Sequence, residues 1–151
     1  MIRQFQPGDA EACCRLIHAC LDNDHSVSSA LREKILHAET PGSMNERARL
    51  FYVAVYELNN RVLGVAGLDL NEIRLLYVSP EHQRRGIGRA LLEHLKPMAP
   101  AILFADIFVY SSIRAVGFYK ACGFIEKGPF TFDIGGEPLP TVFMAFPAKS
   151  A

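Results

Sequence analysis

Two closely spaced glycines and three arginines lie where a predicted strand gives way to a predicted helix. They are Gly86, Gly88, Arg84, Arg85 and Arg89. The first NH groups of a helix have no partner within the helix, and they carry partial positive charge. Glycine lets an anion approach the backbone closely, and arginine adds full charge and paired donors. The segment therefore predicts a binding site for a diphosphate or polyphosphate.

Two other interpretations of this loop stay open, and a third is excluded. In one, the glycines serve only a turn and the arginines are solvated at the surface. In the other, the loop binds a dinucleotide, because Gly86-x-Gly88 follows a strand and Asp106 lies further on; however, Leu91 stands where the third glycine is needed. A Walker A loop is excluded because no Gly-Lys-Ser/Thr follows the glycines.

Hydrophobic periodicity predicts elements in the order β-α-α-β-β-β-α-β-α-β-β. The predicted strands are residues 2–5, 50–57, 62–70, 72–78, 101–109, 124–133 and 141–146, and the predicted helices are residues 9–21, 29–38, 86–95 and 113–122. Pro41-Gly42-Ser43 is interpreted as a break after the second helix. The β-α-β-α-β section predicts parallel pairing, and the hairpins, including the turn at residues 58–61, predict antiparallel pairing. An α+β fold with a mixed sheet is expected.

Composition and charge narrow the class of protein. The 151 residues include 16 Lys plus Arg and 16 Asp plus Glu, half are apolar and 21% are charged. This profile predicts a single globular domain over residues 1–151, and the balanced charge argues against nucleic-acid binding. The longest apolar run, residues 50–56, is too short to span a bilayer, and residues 1–5 lack the apolar core of a signal peptide. We therefore expect a cytoplasmic protein with no membrane partner.

The four cysteines are Cys13, Cys14, Cys20 and Cys122, and none forms a C-x-x-C pair. Three of them lie on the first predicted helix, where they are expected to pack as small hydrophobic side chains. We therefore predict free, non-catalytic thiols and no metal site.

Two motifs resemble those of a known family. Gln83-x-x-Gly86-x-Gly88, preceded by Leu76-Tyr77-Val78-x-Pro80, resembles the acyl-CoA-binding signature of the GNAT superfamily of N-acetyltransferases. The second signature of that family is Asn-x-x-Ala-x-x-Phe-Tyr-x-x-x-Gly-Phe, and residues 112–124 are similar to it. They match at Ala115, Phe118, Tyr119, Gly123 and Phe124 and depart from it at Ser112, which replaces the asparagine.

The resemblance implies a fold and a mode of binding acetyl-CoA. The fold would be a seven-stranded, mainly antiparallel mixed sheet with parallel, splayed central strands and about four flanking helices. Pantetheine would enter the gap and bond to the backbone of Tyr77 and Val78, and the Ser112 hydroxyl would supply one further contact to pantetheine or phosphate. The diphosphate would be held by the loop residues Gln83, Arg84, Arg85, Gly86, Ile87, Gly88 and Arg89.

The resemblance also implies catalytic roles. Tyr119 matches the tyrosine that donates a proton to the departing thiolate; the alternative role is a packed core aromatic. Glu72 resembles the acidic residue that activates the amine, and Asp69 is the alternative base; neither need act if the carboxylates are only solvated. Lys120 is interpreted as a solvated helix charge, and Cys122 as a packed side chain rather than an acyl-accepting nucleophile.

The implied reaction is direct attack by a primary amine of a small molecule or peptide on the thioester of acetyl-CoA. A lysine-like amine has a pKa near ~10.4, so presenting it neutral at pH 7 costs about 4 to 5 kcal/mol, whereas an α-amine near ~7.8 needs little help. The carboxylates Asp22 and Asp24, between the first two helices, either wall the acceptor site or are solvated loop residues. The alternative function is a non-catalytic acyl-CoA-binding or sensing module. A homodimer is possible, as in other family members.

Overall fold

A computed structural model describes residues 1–100 and 106–147 of the chain. Within those residues, seven strands form one sheet in the spatial order β1-β2-β3-β4-β5-β7-β6. The strands are β1 Ile2–Gln4, β2 Tyr52–Leu58, β3 Arg61–Asp69, β4 Glu72–Val78, β5 Asp106–Ser112, β6 Ile125–Ile134 and β7 Glu137–Pro147. Only β4 and β5 are parallel neighbours, and every other neighbouring pair is antiparallel. The predicted α+β fold with a mixed sheet is confirmed.

The described residues contain five α-helices rather than the four predicted. They are α1 Ala10–Asp22, α2 Ser29–Ala38, α3 Pro41–Leu50, α4 Ile87–Leu95 and α5 Val116–Ala121. The expected break at Pro41-Gly42-Ser43 is wrong, because these residues form the first turn of α3. Thr40 and Ser43 cap each other's backbone NH groups, and proline is tolerated in a first turn, where its missing NH has no partner to lose.

The bounds of the fifth strand and of the helix that follows it differ from the prediction. Residues 101–105 of the predicted strand 101–109 lie outside the described residues, and β5 continues to Ser112 because it pairs with β7 as far as Ser112 opposite Thr141. The predicted helix at 113–122 begins as a 3-10 turn, Ile113–Ala115, before α5. The hairpin turn between β2 and β3 is confirmed, with Asn59 and Asn60 at φ of 52° and 61°, as a type I′ turn requires.

Helices cover the two faces of the sheet unequally. Helices α4 and α5 pack on one face, where the core includes Leu91, Leu92, Ile107, Val109, Tyr119, Phe124 and Met144. Helices α1 and α3 pack on the other face over β2 to β4, where the core includes Cys13, Ile17, Met44, Val53, Val55, Val65 and Leu75. Strand β4 therefore lies between two separate cores. No helix among the described residues combines the length and the hydropathy needed to cross a membrane.

Candidate active site

The parallel pairing between β4 and β5 ends almost where it begins. Glu72 lies opposite Phe108 and Ile73 opposite Val109, and no later pair forms among the described residues of the two strands. Asn71 joins the strands at this closed end: its backbone oxygen accepts from Phe108 N at 2.9 Å, and its Nδ2 donates to Asp106 O at 2.9 Å. Beyond this point β4 and β5 diverge and leave a gap between them.

The register of β3 and β4 shows which backbone groups face this gap. Ser79 N donates to Leu63 O at 2.8 Å, so the backbone of Ser79 points to β3. Because NH and CO groups alternate in direction along a strand, the backbone of Tyr77 also points to β3. The backbone groups of Leu76 and Val78 point into the gap instead. Of the two residues whose backbone is expected to hold pantetheine, Val78 faces the gap and Tyr77 does not, while Leu76 faces the gap instead. The contact with pantetheine itself stays a prediction.

The side chain of Tyr77 is buried on the face covered by α1 and α3. Burial raises the pKa of Tyr77 to about 12, and the Glu39 carboxylate adds to this rise. Glu39 is itself paired with Arg47, which lies on α3. The buried phenol thus fixes β4 against the helices on the side of the sheet opposite α4.

Glycine suits positions 86 and 88 for different structural reasons. Gly86 precedes the first turn of α4 with φ at 86°, and a Cβ there would meet nothing within 4 Å, so the residue is open to an approaching ligand. No side chain caps this helix start. Gly88 is instead closely packed, because a Cβ there would lie 3.2 Å from the Phe118 ring and 3.6 Å from Val78. Its role is the close approach of α4 to α5 and β4.

The charged and polar residues of the loop divide into free and engaged groups. Arg84 and Arg85 are exposed, and neither forms an ion pair with a described residue. Arg89 Nη2 donates to Ala121 O at 2.8 Å and so connects α4 to the end of α5. Gln83 Nε2 donates to Val78 O at 3.1 Å at the mouth of the gap. Ile87 is buried and anchors the first turn of α4 in the core.

Tyr119 lies in α5 among the aromatic side chains of the core. Its ring centroid is 5.1 Å from that of Phe118 and 5.2 Å from that of Phe124, and only 5% of its surface is exposed. Burial, together with the nearby Tyr77 and Cys122, raises the pKa of Tyr119 well above its ordinary value. The phenol is therefore protonated at neutral pH, and its hydroxyl forms no hydrogen bond with a described residue.

Both candidate bases lie at the closed end of the gap and share one cation. Arg74 Nη1 is 3.3 Å from Glu72 Oε1 and 3.8 Å from Asp69 Oδ2. The Glu72 side chain is the less exposed of the two carboxylates, at 23% against 39%. Glu72 lies opposite Phe108, at the edge of the gap. Its position therefore makes Glu72 the better candidate base, although both carboxylates pair with Arg74.

The remaining predicted residues lie at the end of β5, in α5 and in the loop between α1 and α2. Ser112 is exposed at the end of β5, directly before the 3-10 turn. Lys120 pairs with Glu126 at 2.8 Å, which agrees with a surface helix charge. Asp24 Oδ1 lies 3.8 Å from Arg114, whose Nη1 also donates to Asn23 O at 2.9 Å. The loop between α1 and α2 is thus connected across the mouth to the start of α5.

Sequence reasoning missed one contact at the gap. Cys20 Sγ donates to Val78 O at 3.1 Å, so this carbonyl already has two donors, the thiol and Gln83. Burial raises the pKa of Cys20 to about 11 and that of Cys13 to about 12, and it also raises the pKa of Cys14 and Cys122. All four thiols are free, and their protonated state makes them poor nucleophiles.

A splayed parallel pair beside an uncapped helix start is the arrangement that the resemblance to the acetyltransferase family implies. The family model described as an acetyltransferase (GNAT) domain matches residues 18–137. The chain therefore belongs to the GNAT family of N-acetyltransferases, whose acyl donor is acetyl-CoA. Among the described residues, no group of three or more His, Cys, Asp or Glu side chains is placed to hold a metal ion.

Relatives and solved structures agree with this family. The chain is 33% identical over 147 residues to peptidyl-lysine N-acetyltransferase YjaB of Salmonella typhimurium, covering 97% of each chain. It is 35% identical over 95 residues to YjaB of Escherichia coli, where the match spans 63% of each chain, just under two thirds. The crystal structure of a GCN5-related N-acetyltransferase from Rhodopseudomonas palustris has the same fold, with a TM-score of 0.90, 24% identity and 98% and 95% coverage.

Proposed function

We propose that this acetyltransferase moves the acetyl group of acetyl-CoA to the side-chain amine of a lysine in a peptide or protein. The observation that supports acetyl transfer is the open edge of β4, where the backbone of Leu76 and Val78 faces the gap and their side chains pack against the core that includes Tyr119. The names of the YjaB relatives support a peptidyl-lysine acceptor.

In the proposal, the loop before α4 binds the diphosphate of acetyl-CoA and the gap between β4 and β5 binds its pantetheine arm. The NH groups of the first turn of α4, near Gly86, and the free guanidinium groups of Arg84 and Arg85 would hold the diphosphate. Pantetheine amides would bond to Leu76 and to the Val78 NH, since the Val78 carbonyl already accepts from two side chains. Ser112, which is exposed at the end of β5, would add a hydroxyl contact.

The reaction needs a base more than it needs an acid. In our proposal the lysine ammonium first gives a proton to Glu72, and the neutral nitrogen then attacks the thioester carbonyl carbon. A C–N bond forms, the C–S bond breaks, and the leaving sulfur takes the proton of Tyr119. The second proton lost by the attacking nitrogen restores Tyr119. Because the phenolate and the thiolate are both anions, the apolar surroundings raise the pKa of both, and the phenol remains a suitable donor.

Three further expectations stay proposals: that the chain forms one domain over residues 1–151, that it functions in the cytoplasm, and that it forms a homodimer. The unpaired state of all four cysteines supports a reducing compartment.

The acceptor is tested by CoA release on a panel of amines. A peptide with a blocked N-terminus and one lysine should be acetylated at the lysine, with a kcat/KM at least ~10-fold above that of the same peptide carrying a free N-terminus and no lysine. Mass spectrometry locates the acetyl group. A preference for the α-amine, or for small amines only, would contradict the proposed acceptor.

Changing Gly86 tests the diphosphate site. Gly86→Asp places a negative charge at the uncapped start of α4, so we expect the affinity for CoA, measured by calorimetry, to fall at least tenfold, or ~1.4 kcal/mol. Gly86→Ala is the matched control, because it imposes the same positive φ on an L-residue without adding charge. Equal losses of affinity in the two variants would show that the diphosphate does not bind at this site.

Changing Tyr119 tests the general acid. Tyr119→Phe keeps the ring among Phe118 and Phe124 and removes only the hydroxyl. We expect kcat to fall about 10- to 100-fold, with the affinity for CoA changed less than about threefold. The loss should shrink as the pH rises toward the pKa of the thiol, because the thiolate then leaves without a proton. A variant with wild-type kcat at pH 7, where chemistry is rate-limiting, would show Tyr119 to be only a packed aromatic.

A further inference from the structure

Five aromatic side chains of β5, β6 and β7 form a patch that the catalytic proposal does not use. This aromatic patch consists of Phe108, Tyr110, Phe130, Phe132 and Phe143. Tyr110 is its centre, with ring centroids 5.1 to 5.9 Å from the other four. None of the five is fully buried, and Phe130 is 47% exposed. Such a contiguous apolar surface indicates a site of contact with another molecule.

The aromatic patch begins at the edge of the gap. Ile107 and Val109 point into the core under α4 and α5, so the alternating residues Phe108 and Tyr110 point to the opposite face. Phe108 lies opposite Glu72 in the parallel pair, which puts the candidate base and the patch on one face of the sheet. An acceptor that reaches Glu72 from this face must pass next to the aromatic side chains.

Helices leave this part of the face open. Helices α1 and α3 cover the same face over β2 to β4, whereas α2 approaches only the far end of the β6–β7 hairpin, where Lys34 Nζ donates to Gly135 O. The patch therefore lies between the gap on one side and α2 on the other.

The patch contains a shallow, open cleft. Its volume is about 200 Å³, and its walls are Tyr110, Lys127, Gly128, Pro129, Phe130 and Phe143. A protein cavity of about 150 Å³ with apolar walls accommodates benzene. A shift in the register of β6 at Gly128 shapes the cleft, and the exposed Lys127 puts one positive charge at its rim. The cleft thus suits an uncharged ring or branched aliphatic chain and disfavours a cation.

The distance between the cleft and the gap suits a peptide. The cleft is lined by β5, β7 and β6, which follow one another in the sheet. Because neighbouring strands are ~4.8 Å apart, the cleft lies about 5 to 10 Å across the sheet from the edge of the gap. An extended peptide advances about 3.3 Å per residue. A residue about two or three positions from the acetylated lysine would therefore reach the cleft.

We propose that this cleft selects lysines with an aromatic or large aliphatic residue two or three positions away in the acceptor peptide. The proposal rests on the proposed function, because it takes the acceptor to be a peptidyl lysine. The position of the aromatic patch next to the gap, the aromatic walls of the cleft and the charge at its rim all point to this occupant. Phe130 and Tyr110 then determine specificity, without a part in the proton transfers.

The test compares peptides that differ at one position near a single lysine, with blocked N-termini. At the preferred position, phenylalanine should give a kcat/KM at least ~10-fold above alanine, and a second lysine should give the lowest value. Phe130→Ala should reduce the phenylalanine-to-alanine ratio to below ~3, and Lys127→Glu should raise the rate with the second lysine. Leu58→Ala is the matched control: it removes another half-exposed hydrophobic side chain, on β2, and should leave the ratio unchanged.

The outcomes distinguish a failure of this proposal from a failure of the proposed function on which it rests. If wild-type protein acetylates no lysine peptide, the proposed acceptor is wrong and the cleft has no such role. If it acetylates all peptides equally, or Phe130→Ala keeps the preference, the cleft proposal alone is wrong. Sedimentation gives a further arm: a wild-type dimer that Phe130→Asp separates into monomers would assign the aromatic patch to a second copy of the chain and overturn the proposal. Because Phe130 is half-exposed, the variants should fold, which circular dichroism checks.

Discussion

Two residue pairs between β4 and β5 determine where the sheet is joined and where it opens. Glu72 with Phe108 and Ile73 with Val109 join β4 to β5, and beyond them the described strands separate. In an ordinary parallel sheet each following NH and CO group has a partner on the neighbouring strand, and a buried group without one is costly. The groups of Leu76 and Val78 are left facing the gap, so a ligand that carries amides along its length completes the sheet.

The rest of the molecule holds that gap in shape. Tyr77 and Leu75 fix β4 to the core under α1 and α3, while Gly88 brings α4 against Val78 and Phe118 on the other face. Strand β5 belongs to the part of the sheet made with β7 and β6. Close packing on both faces of β4 holds this strand in place at the edge of the gap. The same geometry puts Glu72 at the closed end and the aromatic patch beside it.

The sequence predicts much of this and misses what depends on tertiary pairing. The Asn59-Asn60 turn and the order of the elements other than α3 follow from local chemistry, and the resemblance to one family is confirmed. Helix α3 was not predicted because Pro41 and Gly42 favour a turn unless Thr40 caps a helix. The direction of the Tyr77 backbone depends on the register with β3, and the contact from Cys20 to Val78 joins residues 58 positions apart. No local pattern records either. The roles of Tyr119 and Glu72 stay predictions.

Amide hydrogen exchange at β4 tests the central claim most directly. With saturating CoA, exchange of the Leu76 and Val78 amides should slow at least ~10-fold more than that of Tyr77, whose NH already points to β3. Using Tyr77 as the reference removes the general stabilisation that any bound ligand gives. If CoA binds and the three amides slow equally, or Leu76 and Val78 do not slow at all, the open edge of β4 is not where pantetheine lies.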